Sequence, residues 1–215
     1  MHALSPHERR LALSLSALAG LVDAVAYLEL DRYFVSFMSG NSTRMGVGLL
    51  LSPREAFAAG SLILGFVLGV VSGSVFGRLI GRNRRPGCLI LTAALLAAAA
   101  ACGAGPAASA AGVLTAMAMG TENAVFENDG DIRIGVTYMT GSLVRVGQRI
   151  AAAMFGGPPF GWLPYLMLWA SLVFGAALGA ALHMRLGLSA LWIASLCALA
   201  LAVWAWTGRR TGLEH

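Results

Sequence analysis

The chain has 215 residues, 58% of them apolar and only 12% charged, where a soluble domain carries roughly 25% charged residues. So little charge, with a mean hydropathy of +0.74, excludes an ordinary soluble domain and points to a polytopic membrane protein. The net charge is +5 and every basic residue is arginine. The lack of lysine removes Schiff-base and Ser–Lys chemistry. The arginines gather at helix ends and form no stripe interleaved with aromatics, so nucleic-acid binding is not expected.

In chain order, a charged start, His7 to Arg10, precedes an apolar run over residues 11–30 that holds Asp23. Ala17-Leu18-Ala19 mimics a signal-peptidase site, but the apolar run continues past it, so a retained first span is expected. Roughly 20 residues at 1.5 Å each cover the hydrocarbon core. Residues 33–50 are apolar enough to enter a bilayer, yet carry Ser39-Gly40-Asn41-Ser42-Thr43 and then Arg44, which predicts a broken or re-entrant helix. Pro53-Arg54-Glu55 is a polar boundary, and a second span follows over 56–80. It carries Gly65, Gly69, Gly73 and Gly77 on one face. Such spacing lets another helix approach closely, either within the chain or in a homodimer. Gly81 to Pro86 is the most basic loop, and a short Ala-rich span occupies 88–103.

After the uncharged turn from Gly103 to Ala108, the fourth span covers 107–126 with Glu122 and Asn123 near its end, and 127–131 is an acidic loop. A second broken stretch, 135–154, leads to Gly156-Gly157-Pro158-Pro159. Span five, 162–182, has Gly175 and Gly179 echoing Gly73 and Gly77. Span six, 188–207, ends with Trp204 and Trp206 before Arg209 and Arg210, as suits an interfacial belt. Residues 213–215 read as a tag remnant. Cys88, Cys102 and Cys197 stand singly, with no metal or redox spacing, and no cofactor is expected.

The halves repeat. Gly20-Leu21-Val22-Asp23-Ala24 matches Gly120-Thr121-Glu122-Asn123-Ala124, and Met38-Ser39-Gly40-Asn41 matches Met139-Thr140-Gly141-Ser142. Arg145 then matches Arg44, and Gly147 matches Gly46. If each broken stretch dips in and returns, each half has three spans. The arginine clusters at 9–10, 82–85 and 209–210 then share one side, the cytoplasm, as the positive-inside rule asks. If each stretch crosses fully, the 82–85 loop moves outside. The first topology is preferred. The fold class expected is all-α: six transmembrane helices in two inverted three-span repeats, each with a broken or re-entrant helix after its first span. Residues 1–105 form the first repeat and 106–210 the second, with both termini cytoplasmic.

Irregular backbone inside a bilayer is tolerated only where protein or a wet cavity surrounds it. Gly40 and Gly141 permit unusual backbone angles, while Ser39, Asn41, Ser42, Thr140 and Ser142 supply caps and hydroxyls. The helix starts after such breaks suit an anion or polar group, and Arg44 and Arg145 lie within one turn of them. These residues are the candidate solute site. The two arginines face a substrate anion or pair internally, Asp23 with Arg145 and Glu122 with Arg44. Asp23, Glu122 and Asn123 are the coupling or ion-pair set, in which Asn123 replaces the acid of Asp23. The aromatics Tyr33, Phe34, Phe37 and Tyr138 by the breaks suit core packing or a substrate platform. Gln148 and Arg149 suit a rim, and His183 an exposed helix end.

At these residues the chain resembles the YoaK-like family of bacterial membrane proteins, a domain family of unknown function. Its marks are Gly-x-x-Asp-Ala, here Gly20 to Ala24, then Phe37 with Met38-Ser39-Gly40-Asn41, Asn123-Ala124, and Thr137-Tyr138-Met139-Thr140-Gly141-Ser142. Ser39 and Ser142 stand where the family more often has Thr, and both keep the hydroxyl. The resemblance implies six spans in a bacterial inner membrane and no established substrate.

A small secondary transporter or channel is therefore expected, moving a small anion or organic acid between two broken helices. An exporter of an organic cation or drug using Asp23, and a structural or regulatory protein that moves nothing, stay open. An enzyme is not expected: the chain has no Gly-x-Ser-x-Gly, no His-Glu-x-x-His and no second aspartate matching Asp23. The expected partners are the lipid bilayer and a small solute.

Overall fold

A computed structural model describes residues 5–103, 108–128, 131–132 and 137–210. Among them are eight α-helices: α1 (Pro6–Glu29), α2 (Met38–Leu51), α3 (Pro53–Ile80), α4 (Arg84–Cys102), α5 (Ala108–Asn123), α6 (Met139–Met154), α7 (Leu163–Leu186) and α8 (Ala190–Arg210). Short 3₁₀ turns cover Gly81–Asn83, Ala124–Phe126 and Gly187–Ser189. The one extended pairing joins Glu127–Asn128 to Asp131–Ile132. The chain is thus all-helical, with three stretches long and apolar enough to cross a membrane: Pro6–Glu29, Pro53–Cys102 and Leu163–Gly208. The second and third stretches each hold two helices joined by a 3₁₀ turn. The fourth expected span, 107–126, is described from Ala108 onward. It is helical over 16 residues and continues as a 3₁₀ turn to Phe126, about 30 Å in all at the two rises.

Local chemistry sets several ends. Ser5 and Glu8 form a capping box on α1: the Glu8 N–H donates to Ser5 Oγ at 3.2 Å and the Ser5 N–H to Glu8 Oε2 at 2.9 Å. Pro6 begins that helix and Pro53 begins α3, at positions that need no N–H donor. Gly81 and Gly187 end α3 and α7 at φ 53° and 57°, a region only glycine enters freely.

The helices associate through glycine. A Cβ on Gly175 or Gly179 of α7 would overlap the carbonyls of Ala17 and Leu21 on α1. A Cβ on Gly69 or Gly73 of α3 would likewise meet Met117 and Thr121 on α5. Gly20 of α1 abuts Leu172 and Ala176, and Gly120 of α5 abuts Phe66 and Val70. One contact set therefore occurs twice, α1 with α7 and α5 with α3. Each half lends its first helix to the other half's third. The face of Gly65, Gly69, Gly73 and Gly77, a sequence-level candidate for a homodimer, is filled within the chain by α5 and by Arg84. It is not open to a second copy.

These contacts also fix directions. Ala17 lies by Gly175 and Leu21 by Gly179, so α1 and α7 are parallel. Met117 lies by Gly69 and Thr121 by Gly73, so α3 and α5 are parallel. At one end of the bundle, Glu8 at the start of α1 pairs with Arg85 at the start of α4 at 2.5 Å. Beside them, Glu127 pairs with Arg84 at 2.7 Å and with Arg78, near the end of α3, at 3.8 Å. At the other end, His183 of α7 meets Glu29 of α1 at 2.9 Å, and Arg44 lies 3.8 Å from Glu55 of α3. Thus α1 and α3 run oppositely, and the segment between them leaves and returns at the same end.

Candidate functional site

After α1 the chain turns back on itself. Asp31 and Arg32 take positive φ, 45° and 65°, a strained region for residues with a side chain. Residues Tyr33 to Phe37 then run back along α1 until Val35 and Ser36 reach Asp23. The Val35 and Ser36 N–H groups donate to Asp23 Oδ1 at 2.8 and 2.9 Å, and the Ser36 hydroxyl donates to Oδ2. Three donors satisfy an ionised carboxylate well. Asn41, fully buried, clamps the same strand: its Nδ2 donates to Phe34 O at 2.6 Å and its Oδ1 accepts from the Phe34 N–H at 3.1 Å.

The break therefore lies one turn earlier than the sequence pattern places it. Ser39, Gly40, Asn41, Ser42 and Thr43 are inside α2, whose N-cap is Phe37 with no side-chain cap. The Ser42 and Thr43 hydroxyls donate to Met38 O and Ser39 O within their own helix, at 2.9 and 3.2 Å, a bond open to any helical Ser or Thr. Gly40 is helical and is small because a Cβ there would press on the Phe37 and Phe34 rings. Asp23 binds the two backbone N–H groups just before the N-cap of this helix.

The second half repeats the anchor in neutral form. The Thr137 hydroxyl donates to Asn123 Oδ1 at 3.1 Å, and Asn123 Nδ2 donates to Met119 O at 2.9 Å. Ser36 and Thr137 each stand two residues before the aligned methionines Met38 and Met139. Thr140 and Gly141 are exposed on α6, while Ser142 is buried and donates to Tyr138 O at 3.4 Å. Gly141, like Gly40, is helical. The proposed break residues 135 and 136 lie outside the described residues, as do parts of the acidic loop and of the turn after Gly103.

Among the described residues, neither expected pair, Asp23 with Arg145 or Glu122 with Arg44, is formed. Arg44 Nη1 donates to the carbonyls of Asp31 and Arg32 at 2.9 Å each, and its guanidinium lies 3.7 Å over the Tyr33 ring. It secures the two strained residues of the turn. Arg145 lies on the exposed side of α6, 5.5 Å from the Tyr165 ring centre. Glu122, fully buried in α5, has no hydrogen-bond partner among the described residues on either carboxylate oxygen.

The two breaks do meet. A cavity of about 400 Å³ is lined by Asp23, Tyr27, Phe34, Ser36 and Phe37 on one side and by Thr137, Met139 and Ala176 on the other. Its aromatic rings form a cluster: Tyr27 and Phe34 are 5.1 Å apart, and Phe34 and Phe37 are 5.2 Å apart edge-on. Among the described residues, no arginine lines it. A second, wider hollow of about 900 Å³ lies at the outer turn, where Arg44 and Arg54 face Glu29, Asp31 and Glu55.

Comparison with known proteins places the chain. The family model described as "Protein of unknown function (DUF1275)" matches residues 11–204. The chain belongs to this family. It is also 35% identical over 191 residues to "UPF0700 transmembrane protein RA0705" of Rhizobium meliloti (strain 1021), covering 89% of this chain and 83% of that protein. No solved structure matches it. The family is the one whose motif residues the sequence resembles, and membership agrees with a membrane-spanning chain.

Two residues of the site carry no flag in single-residue reading. Aligning the two halves shows a hydroxyl at the same place in both, Ser36 and Thr137, the second of which also opens a family motif. His183, read as an exposed helix end, is half-buried against Glu29. Only the pairing of α1 with α7 reveals that partner.

Proposed function

We propose that this protein is a small secondary transporter of the bacterial inner membrane, built from two inverted three-span halves, each with a re-entrant segment. Its solute is a small organic cation with an apolar body. The observation that carries this is the cavity where the two breaks meet. It offers one carboxylate, Asp23, beside the rings of Tyr27, Phe34 and Phe37. Aromatic faces and a fixed negative charge attract a cation bearing apolar groups. A small anion, the solute favoured by sequence alone, would face that carboxylate with no arginine to offset it.

The inverted arrangement is supported by the doubled glycine contacts, the parallel pairs α1/α7 and α3/α5, and the return of α2 to the end it left. Cytoplasmic termini are supported by the clustering of the α1 start, the Arg84–Arg85 corner and the α8 end at one end of the bundle. Separate sets of ion pairs sit at the two ends of the bundle. Alternating access would open one set while the other holds.

Binding tests this directly. Benzyltrimethylammonium and tetraphenylphosphonium should raise the melting temperature of the purified protein with concentration, and Asp23→Asn should abolish the shift. Small inorganic anions and organic acids should do nothing. A shift with acids alone, lost in Arg44→Gln, would return the assignment to an anion carrier.

A further inference from the structure

Glu122 is the acid that the fold does not explain. It is fully buried and neither oxygen has a partner among the described residues, whereas buried charges are normally paired. Its neighbours are occupied: Thr121 Oγ1 donates to Gly69 O at 3.1 Å, and Asn123 binds Met119 O and Thr137. In the first half the equivalent position is Val22, also fully buried. A carboxyl is therefore not needed to fill this place in the fold.

We infer that Glu122 is a proton-binding site, loaded while the cavity at Asp23 is empty and discharged when a cation neutralises Asp23. The transport this implies is exchange of an organic cation for a proton, and that part rests on the cavity reading above.

The surrounding charges make this specific. The elements packed on α5 are α1, α3, α4 and the 3₁₀ turn after it. Arg78 on α3 and Arg84 on α4 are spent on Glu127 beyond the turn, and Arg85 on Glu8. Cys88 on α4 donates to Gly73 O at 3.5 Å. Asp23 on α1 lines the same cavity as Thr137, which bonds Asn123, the residue next to Glu122. Two carboxylates that share one low-dielectric interior do not both readily stay ionised. With the cavity empty, Asp23 holds the negative charge among its three donors and Glu122 holds a proton. When a cation enters, the charge of Asp23 is offset. The Glu122 O–H then breaks with its electron pair left on the carboxylate, and the proton leaves to water. The interior carries the same net charge before and after.

Infrared spectroscopy of the purified protein in lipid nanodiscs tests the proton, and benzyltrimethylammonium binding in weak buffer tests the exchange. At neutral pH the wild type should give the carbonyl stretch of a protonated carboxyl. Glu122→Gln should lose it while keeping its melting temperature, because a neutral amide resembles a neutral acid. Glu122→Asp, which keeps a carboxyl, should give the band at a shifted frequency and serves if the Gln variant fails to fold. Cation binding should release roughly one proton per cation from the wild type and none from Glu122→Gln. A band that survives in Glu122→Gln, or cation binding without proton release, would overturn the inference. If the band depends on Glu122 but no organic cation binds, the cavity reading falls and Glu122 stands as a proton site.

Discussion

Asp23 and Asn123 occupy the same place in the two halves and do the same structural work with different charge. Asp23 holds two backbone N–H groups and a hydroxyl of the returning strand. Asn123 holds one hydroxyl, that of Thr137. Truncating Asp23 to Ala strands donors that had a charged acceptor, so about 3 kcal/mol of stability should go. Asn123→Ala, which breaks a neutral bond, should cost about 1 kcal/mol. Denaturant unfolding in detergent distinguishes the two, and equal losses would contradict this division. Sequence marks both residues as intramembrane polar groups but suggests an arginine as the partner of Asp23. The true partners are backbone amides, which no side-chain pattern advertises. Glu127, outside the spans, behaves conventionally. Burial pushes its carboxyl up, but hydrogen bonds from Ser74 and Arg84 and the charges of Arg84 and Arg78 outweigh this and hold it below its ordinary 4.5. The folded state thus binds its proton less readily than the unfolded chain. The stability it contributes is complete above about 4.5 and is lost as pH falls through the lower, folded value. Glu127→Gln should flatten that acid-side decline in melting temperature, and an unchanged decline would mean other groups cause it.

Among the elements, the glycine-lined helices divide sharply from the helices that follow the breaks. Gly69, Gly73, Gly175 and Gly179 sit against backbone of a neighbouring helix, whereas Gly46, Gly141 and Gly147 have nothing within 4 Å of a Cβ. Gly69→Ala and Gly175→Ala should each destabilise by about 1–3 kcal/mol through overpacking. Gly46→Ala and Gly147→Ala should stabilise by roughly 0.5–1 kcal/mol through helix propensity. The opposite signs can be read from melting temperatures of the four variants. The four-residue glycine spacing was legible as a close-approach face. Its partner was not, because α5 lies some fifty residues further on and its contact surface is ordinary Met, Thr and Val. Hydroxyl-rich Ser39 to Thr43 reads as a break in sequence because Ser, Thr and Asn cap helices. Inside a helix the same groups bond to the preceding turn, and the break moves to the residues held by Asp23 and Asn41.

At the scale of the whole molecule, the repeat was legible because two motifs recur in order about a hundred residues apart. The way the halves interlock, α1 on α7 and α5 on α3, was not, since it is a property of packing. The central claim is that the segments after the two breaks lie at opposite ends of the bundle, which makes the halves an inverted pair around one cavity. The most direct measurement places single cysteines at Leu51 and Met154, the exposed ends of α2 and α6, in a chain whose own three cysteines are replaced. A membrane-impermeant thiol reagent is then applied to intact cells and to inside-out vesicles. The two positions are expected to label from opposite sides, Leu51 from outside and Met154 from the cytoplasm. Labelling of both from the same side would contradict the inverted arrangement and, with it, a cavity shared by two opposed re-entrant segments.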